Sequence, residues 1–434
     1  MPLSPQTPPR SLDEWLLHIE SLHRRSIDLN LDRPRRVLHR LRPERPPVVI
    51  TVAGTNGKGT TAAMLEAVYR EAGYKVGCYT SPHLVSYCER IRIDGKAVSE
   101  SALCRSFERV EQARSGIPLT YFEFGTLAAL DSFATTSVDL AVLEVGLGGR
   151  LDATNIMSPD LSIITAIDLD HQDWLGPSRE SIACEKAGIL RFRGKAVISD
   201  PRPPLSLERA LRTLKCDARI LNRDFSVSRG KGGAWCWRAD KSQWPRGGQE
   251  WKWSDEGASP SRIQNLAGVV AAVRQLAHRV PTRDSHLKVL ASVLIPGRQQ
   301  FVPGPVSQIF DVAHNAQAVA ELACLLGQTA PIGKTRAVFS LLKEKDLASI
   351  MSEMETHVDV WYLAEVDTDR AMPFKDLHTN MSGLVIADLG HIKEPQKVYQ
   401  RALQDASPGD RIVIFGSFFL VGAILAVVSE RTAA

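Results

Sequence analysis

No charge sign dominates the 434-residue chain: 53 Lys and Arg stand against 49 Asp and Glu, a net charge of +4. A protein held to nucleic acid through its phosphates carries a stronger basic excess, so composition points to no such partner. Cysteine is sparse, seven residues with no CxxC spacing. That fits neither a disulfide framework nor a zinc ribbon and suggests a reducing compartment. Long apolar runs are missing except for the uncharged stretch 412–429, which is near the lower limit for a membrane span. Gly416-Ser417 splits it into the β-branched IVIF and the helical FFLVGAILAVV, so strand, turn and buried helix is the expectation. The opening MPLSPQTPPR lacks the apolar core of a secretory signal. An apolar share of 44% beside 24% charged residues excludes collagen, coiled coil and wholesale disorder. A soluble cytoplasmic protein of two or three domains is what remains.

The elements themselves read as α/β. Ser11-Leu12-Asp13-Glu14 is a capping box opening an amphipathic helix. The segment Arg33–Arg45 holds six arginines and is expected to be a solvated helix and linker. VVITVAG reads as a buried parallel strand, followed by a glycine loop and the helix TTAAMLEAVYREA, stopped at Gly73. Apolar strands at Val138–Val145 and Leu161–Ile167 alternate with helical patterns, as in a doubly wound sheet. Within Asp200–Pro260 stand Trp235, Trp237, Trp244, Trp251 and Trp253. This stretch is expected to be a peripheral β-rich insertion, since residues two apart share one face of a strand; base stacking by the tryptophans is the sharper alternative. After the hinge-like PGRQQFVPGP the period resets into a second, smaller α/β unit. The expected boundaries are 1–295 and 296–434.

The strongest chemical signal is Gly54-Thr55-Asn56-Gly57-Lys58-Gly59-Thr60-Thr61 between a strand and a helix. Glycines let successive backbone N–H groups face phosphate oxygens, and the helix N-terminus adds its positive end. Lys58 would reach the phosphates and Thr60 or Thr61 a magnesium ion. The spacing departs from GxxxxGK[ST], because Gly59 follows the lysine directly. A second piece is Glu144, which ends the apolar strand VDLAVLEVG ahead of the loop Gly146–Arg150. An acid there is where phosphate-loop enzymes hold magnesium; taken apart from the phosphate loop it could equally cap a helix, and beside that loop metal binding is the favoured reading.

GTNGKGTT, TSPHL (80–84), FEFGTLAAL (122–130), LEVGLGGRLDATN (143–155), DLDHQDWLG (168–176), EKAGI (185–189), PGR (296–298) and DVAHN (311–315) occur in this order. Together they resemble the bacterial folylpolyglutamate synthase/dihydrofolate synthase family of the Mur ligase superfamily, over about residues 11–425. The resemblance implies a phosphate-loop, Mur-ligase-like central domain followed by a smaller Rossmann-like α/β domain. It also implies an ATP-dependent ligase that adds L-glutamate to dihydropteroate and to folates through an acyl phosphate. A folylpolyglutamate synthase without the dihydrofolate synthase activity, another ligase of the superfamily, and a nucleotide-regulated binding module are the alternatives.

The same resemblance assigns roles. Thr55, Asn56, Gly57, Lys58, Gly59, Thr60, Asn265, Arg298 and Asp311 would bind ATP. Ser81 and Glu144 would hold a first Mg²⁺ and His171 would help hold a second. Chemistry alone favours a structural histidine there, because magnesium prefers oxygen ligands. Lys186, by pattern an ordinary surface lysine beside Glu185, is implied to be carbamylated and so able to bind a metal. Asp28, Leu29, Phe122, Glu123 and Asp152 would meet the pterin, although core packing explains Phe122 as well. His314 and Ser417 would line the glutamate end. Lys58, Lys186, His171, Arg298 and His314 are thus the candidate catalytic groups. DVAHNAQ replaces the family's DGAHNP, which removes a proline at a helix start but no ligand. The expected partners are small molecules (dihydropteroate, tetrahydrofolates and L-glutamate) of a monomer bound to neither nucleic acid nor membrane.

Overall fold

The computed structural model describes residues 11–25, 27–230, 233–239, 244, 249–255, 259–390 and 392–433, the last five by backbone only. The proline-bearing start and parts of the tryptophan-rich stretch lie outside these residues. Two compact units emerge: residues 1–82 with 88–293, and residues 83–87 with 294–434.

The first unit is built on an eight-stranded sheet. Its strands are β1 (Val48–Ala53), β2 (Val76–Tyr79), β3 (Ile91–Ile93), β4 (Lys96–Ala97), β5 (Leu140–Glu144), β6 (Leu161–Ile164), β7 (Lys195–Ile198) and β8 (Asp217–Ile220). The order is β4-β3-β2-β5-β1-β6-β7-β8. Pairing is parallel from β2 to β8, while β3 and β4 join as antiparallel edges. Every residue of β1, β2, β5 and β6 is buried, as expected of strands covered on both faces. The consequence for the site is geometric. The carboxyl ends of β2, β5, β1, β6 and β7 share one edge, and the chain reverses its winding sense at β1, the place where open α/β sheets hold ligands.

The tryptophan-rich stretch corrects two expectations. Its first part is not an insertion: Leu205–Thr213 is a helix and β8 extends the main sheet. Only β9 (Phe225–Arg229), β10 (Trp235–Ala239) and β11 (Glu250–Trp253) form a separate antiparallel sheet. That sheet is part of the core rather than peripheral. Trp237 is fully buried and donates its Nε1–H to Ala267 O at 3.1 Å, on the helix Pro260–Leu276. Trp251 and Trp253 stack at 4.7 Å and are buried too. Buried rings of this kind are unavailable for base stacking.

The arginine-rich segment is a solvated face as expected, with Arg35, Arg36, Arg40, Arg42 and Arg45 exposed and only Arg33 half-buried. Arg33, near the start of the helix Asp32–Leu41, bonds Asp28 at 2.8 Å and the buried Glu123 at 3.0 Å. Arg45 bonds Asp160 at 2.7 Å.

The second unit is a five-stranded sheet of β12 (Gln300–Val302), β13 (Ser307–Asp311), β14 (Thr335–Phe339), β15 (Val360–Leu363) and β16 (Arg411–Phe415), ordered β12-β13-β16-β14-β15. It is parallel apart from the edge strand β12. The uncharged stretch becomes β16, a turn at Gly416-Ser417 and the helix Phe418–Ala433, whose Leu420, Val421 and Ile424 are buried. Among the described residues no helix is long and apolar enough to cross a membrane.

Candidate active site

The phosphate loop is shaped by what its glycines must avoid. At Gly54 a Cβ would fall 1.7 Å from Thr165 Oγ1. Gly57 has φ +86° and a Cβ there would sit 2.4 Å from the side chain of Asn265. The first glycine therefore admits Thr165, just past the end of β6, and the second admits the buried Asn265 from the helix Pro260–Leu276. The loop leads into the helix Lys58–Glu71. Thr60 is half-buried at its start, but Thr61 is fully buried, with its Oγ1 lacking a hydrogen-bond partner. Thr60 thus has an access to solvent that Thr61 lacks.

Two lysines converge on one carbonyl. Lys58 Nζ donates to Gly54 O and Thr55 O, each at 3.0 Å. Lys186 Nζ donates to the same Gly54 O at 2.8 Å. Lys186 is no surface residue: it is 3% exposed. Burial first, and the adjacent Lys58 second, push its pKa down to about 7. The burial is made by the loop after β5, which lies on the helix Arg179–Ala187: a Cβ on Gly149 would be 3.1 Å from the Lys186 Cα, and one on Gly188 would collide with Arg150.

Glu144 ends β5 buried, accepting the Ser81 N–H at 3.0 Å. The Gly59 position faces it, with a built Cβ 3.6 Å from Oε2. The strand ends thus bring Ser81, Glu144, Lys186 and the phosphate loop together. His171 sits half-buried with φ +51°, at the start of the short helix Gln172–Leu175. Its loop is tied to the phosphate loop through Thr55, whose Oγ1 lies 3.0 Å from both Asp168 N and Asp168 O.

The residues assigned to the pterin form another cluster in this unit. Phe122 lies 5.8 Å from the Tyr79 ring and fills the space a Cβ on Gly146 would need. Glu123 completes a capping box with Thr120 and takes Arg33 on its other oxygen. Asp152 is buried and accepts from Leu147 N, Thr154 N and Thr154 Oγ1, bonds that partly offset the rise in its pKa caused by burial. Asp28 pairs with Arg33 and lies 3.4 Å from His23, beside the half-buried Leu29. Arg33 was not singled out by the sequence; nothing in an arginine-rich run distinguishes the one that reaches two acids.

In the second unit the Arg298 guanidinium lies 5.3 Å over the Phe418 ring. Asp311, at the end of β13, accepts Gln299 N and Ala313 N. Burial pushes its pKa up to about 6 against the opposing pull of Arg298. His314 Nδ1 meets Val312 O at 2.7 Å, and its ring lies 5.7 Å from Phe418. Ser417 is buried, and its Oγ accepts the Leu420 N–H. The helix Ala316–Gln328 starts without the family's proline because Asn315 caps it, accepting from Ala318 N.

Residues 52–202 match the Mur ligase middle domain and residues 297–418 the glutamate ligase domain of Mur ligases. The chain is 38% identical over 431 residues to the dihydrofolate synthase/folylpolyglutamate synthase of Escherichia coli strain K12, covering 97% of this chain and 96% of that one. Its fold matches E. coli FolC in complex with DHPP and ADP at a TM-score of 0.89 and 36% identity, covering 98% and 99% of the two chains. A bifunctional folylpolyglutamate synthase/dihydrofolate synthase with Mn, AMPPNP and L-glutamate bound matches at 0.86 and 36% identity, over 98% of this chain and all of the other.

Proposed function

The chain belongs to the dihydrofolate synthase/folylpolyglutamate synthase family of Mur ligases, and we propose that it uses ATP to join L-glutamate to dihydropteroate and to folates. The observation that carries this reading is the meeting of Lys58 and Lys186 on the Gly54 carbonyl, on the sheet edge that also carries the buried Glu144. A glycine loop with two amines and an acid is equipped for a triphosphate and its counterion. The similarity to ADP-, AMPPNP-, DHPP- and glutamate-bound structures supports the same substrates.

In this reading a carboxylate oxygen of the pterin substrate attacks the γ-phosphorus and ADP leaves. The glutamate amine then attacks the acyl carbon, loses a proton and expels phosphate. The protein's part is to orient the reactants and offset charge. Lys58 exchanges its carbonyl partners for phosphate oxygens, while the loop amides and Asn265 shape the nucleotide site. Arg298 offers phosphate a planar fork of donors, and Asp311 serves the nucleotide. Phe122, Asp28, Leu29, Glu123 and Asp152 receive the pterin, and His314 and Ser417 the glutamate.

Magnesium, when bound, would neutralise charge on the phosphates and favour departure of ADP. Ser81 and Glu144 would hold a first ion, and His171 and a carbamylated Lys186 would help hold a second. The buried Glu144 oxygens suit a hard cation. A lysine with a pKa near 7 has the neutral amine that carbon dioxide requires, and the carbamate formed is an anion with oxygen donors. Among the described residues no three His, Cys, Asp or Glu side chains cluster to hold a metal ion; the set proposed here draws on a hydroxyl, a carboxylate, an imidazole and a modified amine.

The test is a product assay with ATP, Mg²⁺, L-glutamate and either dihydropteroate or tetrahydrofolate, read by mass spectrometry. A glutamyl adduct in both arms, with ADP released only when pterin and glutamate are both present, is expected. No adduct in either arm would refute the proposal, and an adduct with tetrahydrofolate alone would remove the dihydropteroate reaction.

A further inference from the structure

We infer that the ion pair Arg179–Asp200 is a positioning device that holds the loop Asp168–His171 in register with the phosphate loop. The inference rests on the reading of His171 as a metal ligand. Ile167 immediately precedes this loop, and both of its backbone polar groups are taken by the pair. Its N–H donates to Asp200 Oδ2 at 2.7 Å, and its carbonyl accepts Arg179 Nε at 2.8 Å. The guanidinium continues to Asp200 and to Arg202 O, each at 3.1 Å, and Asp200 Oδ1 accepts Arg202 N at 2.8 Å.

The opposite side of the same segment is tied to the phosphate loop. Thr55 N donates to Ala166 O at 2.7 Å, and Thr55 Oγ1 bridges the N and O of Asp168. Residues 166–168 are therefore stitched between the phosphate loop on one side and Arg179 with Asp200 on the other. Arg179 opens the helix that carries Lys186, so one pair links the elements bearing His171, Lys186 and the phosphate loop.

Two features argue that this pair positions ligands rather than binding one. Asp200 is 2% exposed and its two oxygens already take two amides and the guanidinium. Arg179 lies in the first turn of a helix, where the dipole disfavours a cation; the compensating gain is its set of bonds to Asp200, Ile167 O and Arg202 O. Lysine could supply the charge but not the fork.

The test uses the full chain as wild type, Arg179→Met, Arg179→Lys and His171→Ala. Mn²⁺ binding is followed by electron paramagnetic resonance with AMPPNP present, AMPPNP affinity is measured separately without metal, and amide hydrogen exchange is mapped. Outer-shell partners of metal ligands typically contribute 10- to 100-fold in affinity, so Arg179→Met should weaken Mn²⁺ at least about 10-fold while metal-free AMPPNP binding stays within about twofold. Exchange should quicken at residues 167–171, and Arg179→Lys should fall between wild type and Arg179→Met. Loss of Mn²⁺ affinity in His171→Ala but not in Arg179→Met would overturn the positioning role and leave the metal reading standing. Unchanged Mn²⁺ affinity in His171→Ala would overturn that reading and the inference built on it. A parallel loss of AMPPNP and Mn²⁺ binding in Arg179→Met, with exchange raised throughout the unit, would show a merely structural pair.

Discussion

Lys58 and Lys186 share an acceptor but differ in what their removal should cost. Lys58 is the cation of the phosphate loop, and its Nζ donates to the loop carbonyls of Gly54 and Thr55. Lys58→Ala should abolish turnover with little change in melting temperature; wild-type turnover would remove the phosphate-loop assignment. Lys186 is costly to the ligand-free fold, because an amine with a normal pKa of 10.5 is held near 7. Between these values the unfolded chain binds the extra proton, so this group's contribution to stability rises with pH across that window and is constant below it. In buffer free of carbon dioxide, Lys186→Met should therefore melt above wild type near pH 7, and its advantage should shrink towards about pH 10. An advantage that grows with pH would contradict this assignment. The same variant should be inactive, and labelled bicarbonate should give a carbamate signal in the wild type that this variant lacks. Arg298 is a third residue to which the proposed function gives work outside folding. It is half-buried and packs on the half-buried Phe418, so Arg298→Ala should cut turnover at least about 100-fold while costing stability only about 1 kcal/mol. Comparable losses in both, scored by steady-state kinetics and thermal melts, would make it a structural arginine.

Strand ends and loops place these residues, and their legibility follows the range of the forces involved. The β-branched runs at β1, β5, β6 and β16 could be read directly, because strands buried on both faces have nowhere to put polar residues. The cap at Ser11 is a local hydrogen bond and was equally visible, whereas the cap at Asn315, which takes the place of the missing proline, is seen only in the structure. Lys186 was illegible from its own helix. Its burial depends on Gly149 and Gly188 letting two distant segments touch, and its role came only from the family resemblance. The tryptophan sheet was misread for a similar reason: alternation predicts one shared face, but not that the face meets the helix Pro260–Leu276. Trp237 is the centre of that contact. Trp237→Ala should cost about 3–5 kcal/mol by equilibrium urea unfolding, with the kcat of the folded enzyme preserved. A loss under about 1 kcal/mol would return the sheet to the periphery.

At the scale of the whole molecule, each unit follows the same physical plan. A parallel sheet gathers its carboxyl ends on one edge, and the polar residues that chemistry needs are spent there rather than in the core. Ser81, Glu144, His171, Lys186 and the phosphate loop fall on that edge in the first unit; Asp311 and Ser417 follow strand ends in the second. The order of motifs along the chain exposed this plan, since βαβ winding converts sequence order into position. The pairs that tune it, Arg33 with Asp28 and Glu123 and Arg179 with Asp200, join residues far apart in sequence or unremarkable in pattern. In the proposed reaction a substrate carboxylate is activated by phosphoryl transfer before glutamate attacks. Dihydropteroate carrying oxygen-18 in its carboxylate tests this in a single turnover assay with ATP, Mg²⁺ and L-glutamate. One labelled oxygen should appear in the released phosphate for each amide formed, with the other retained in the amide. Amide formation with unlabelled phosphate would contradict the account.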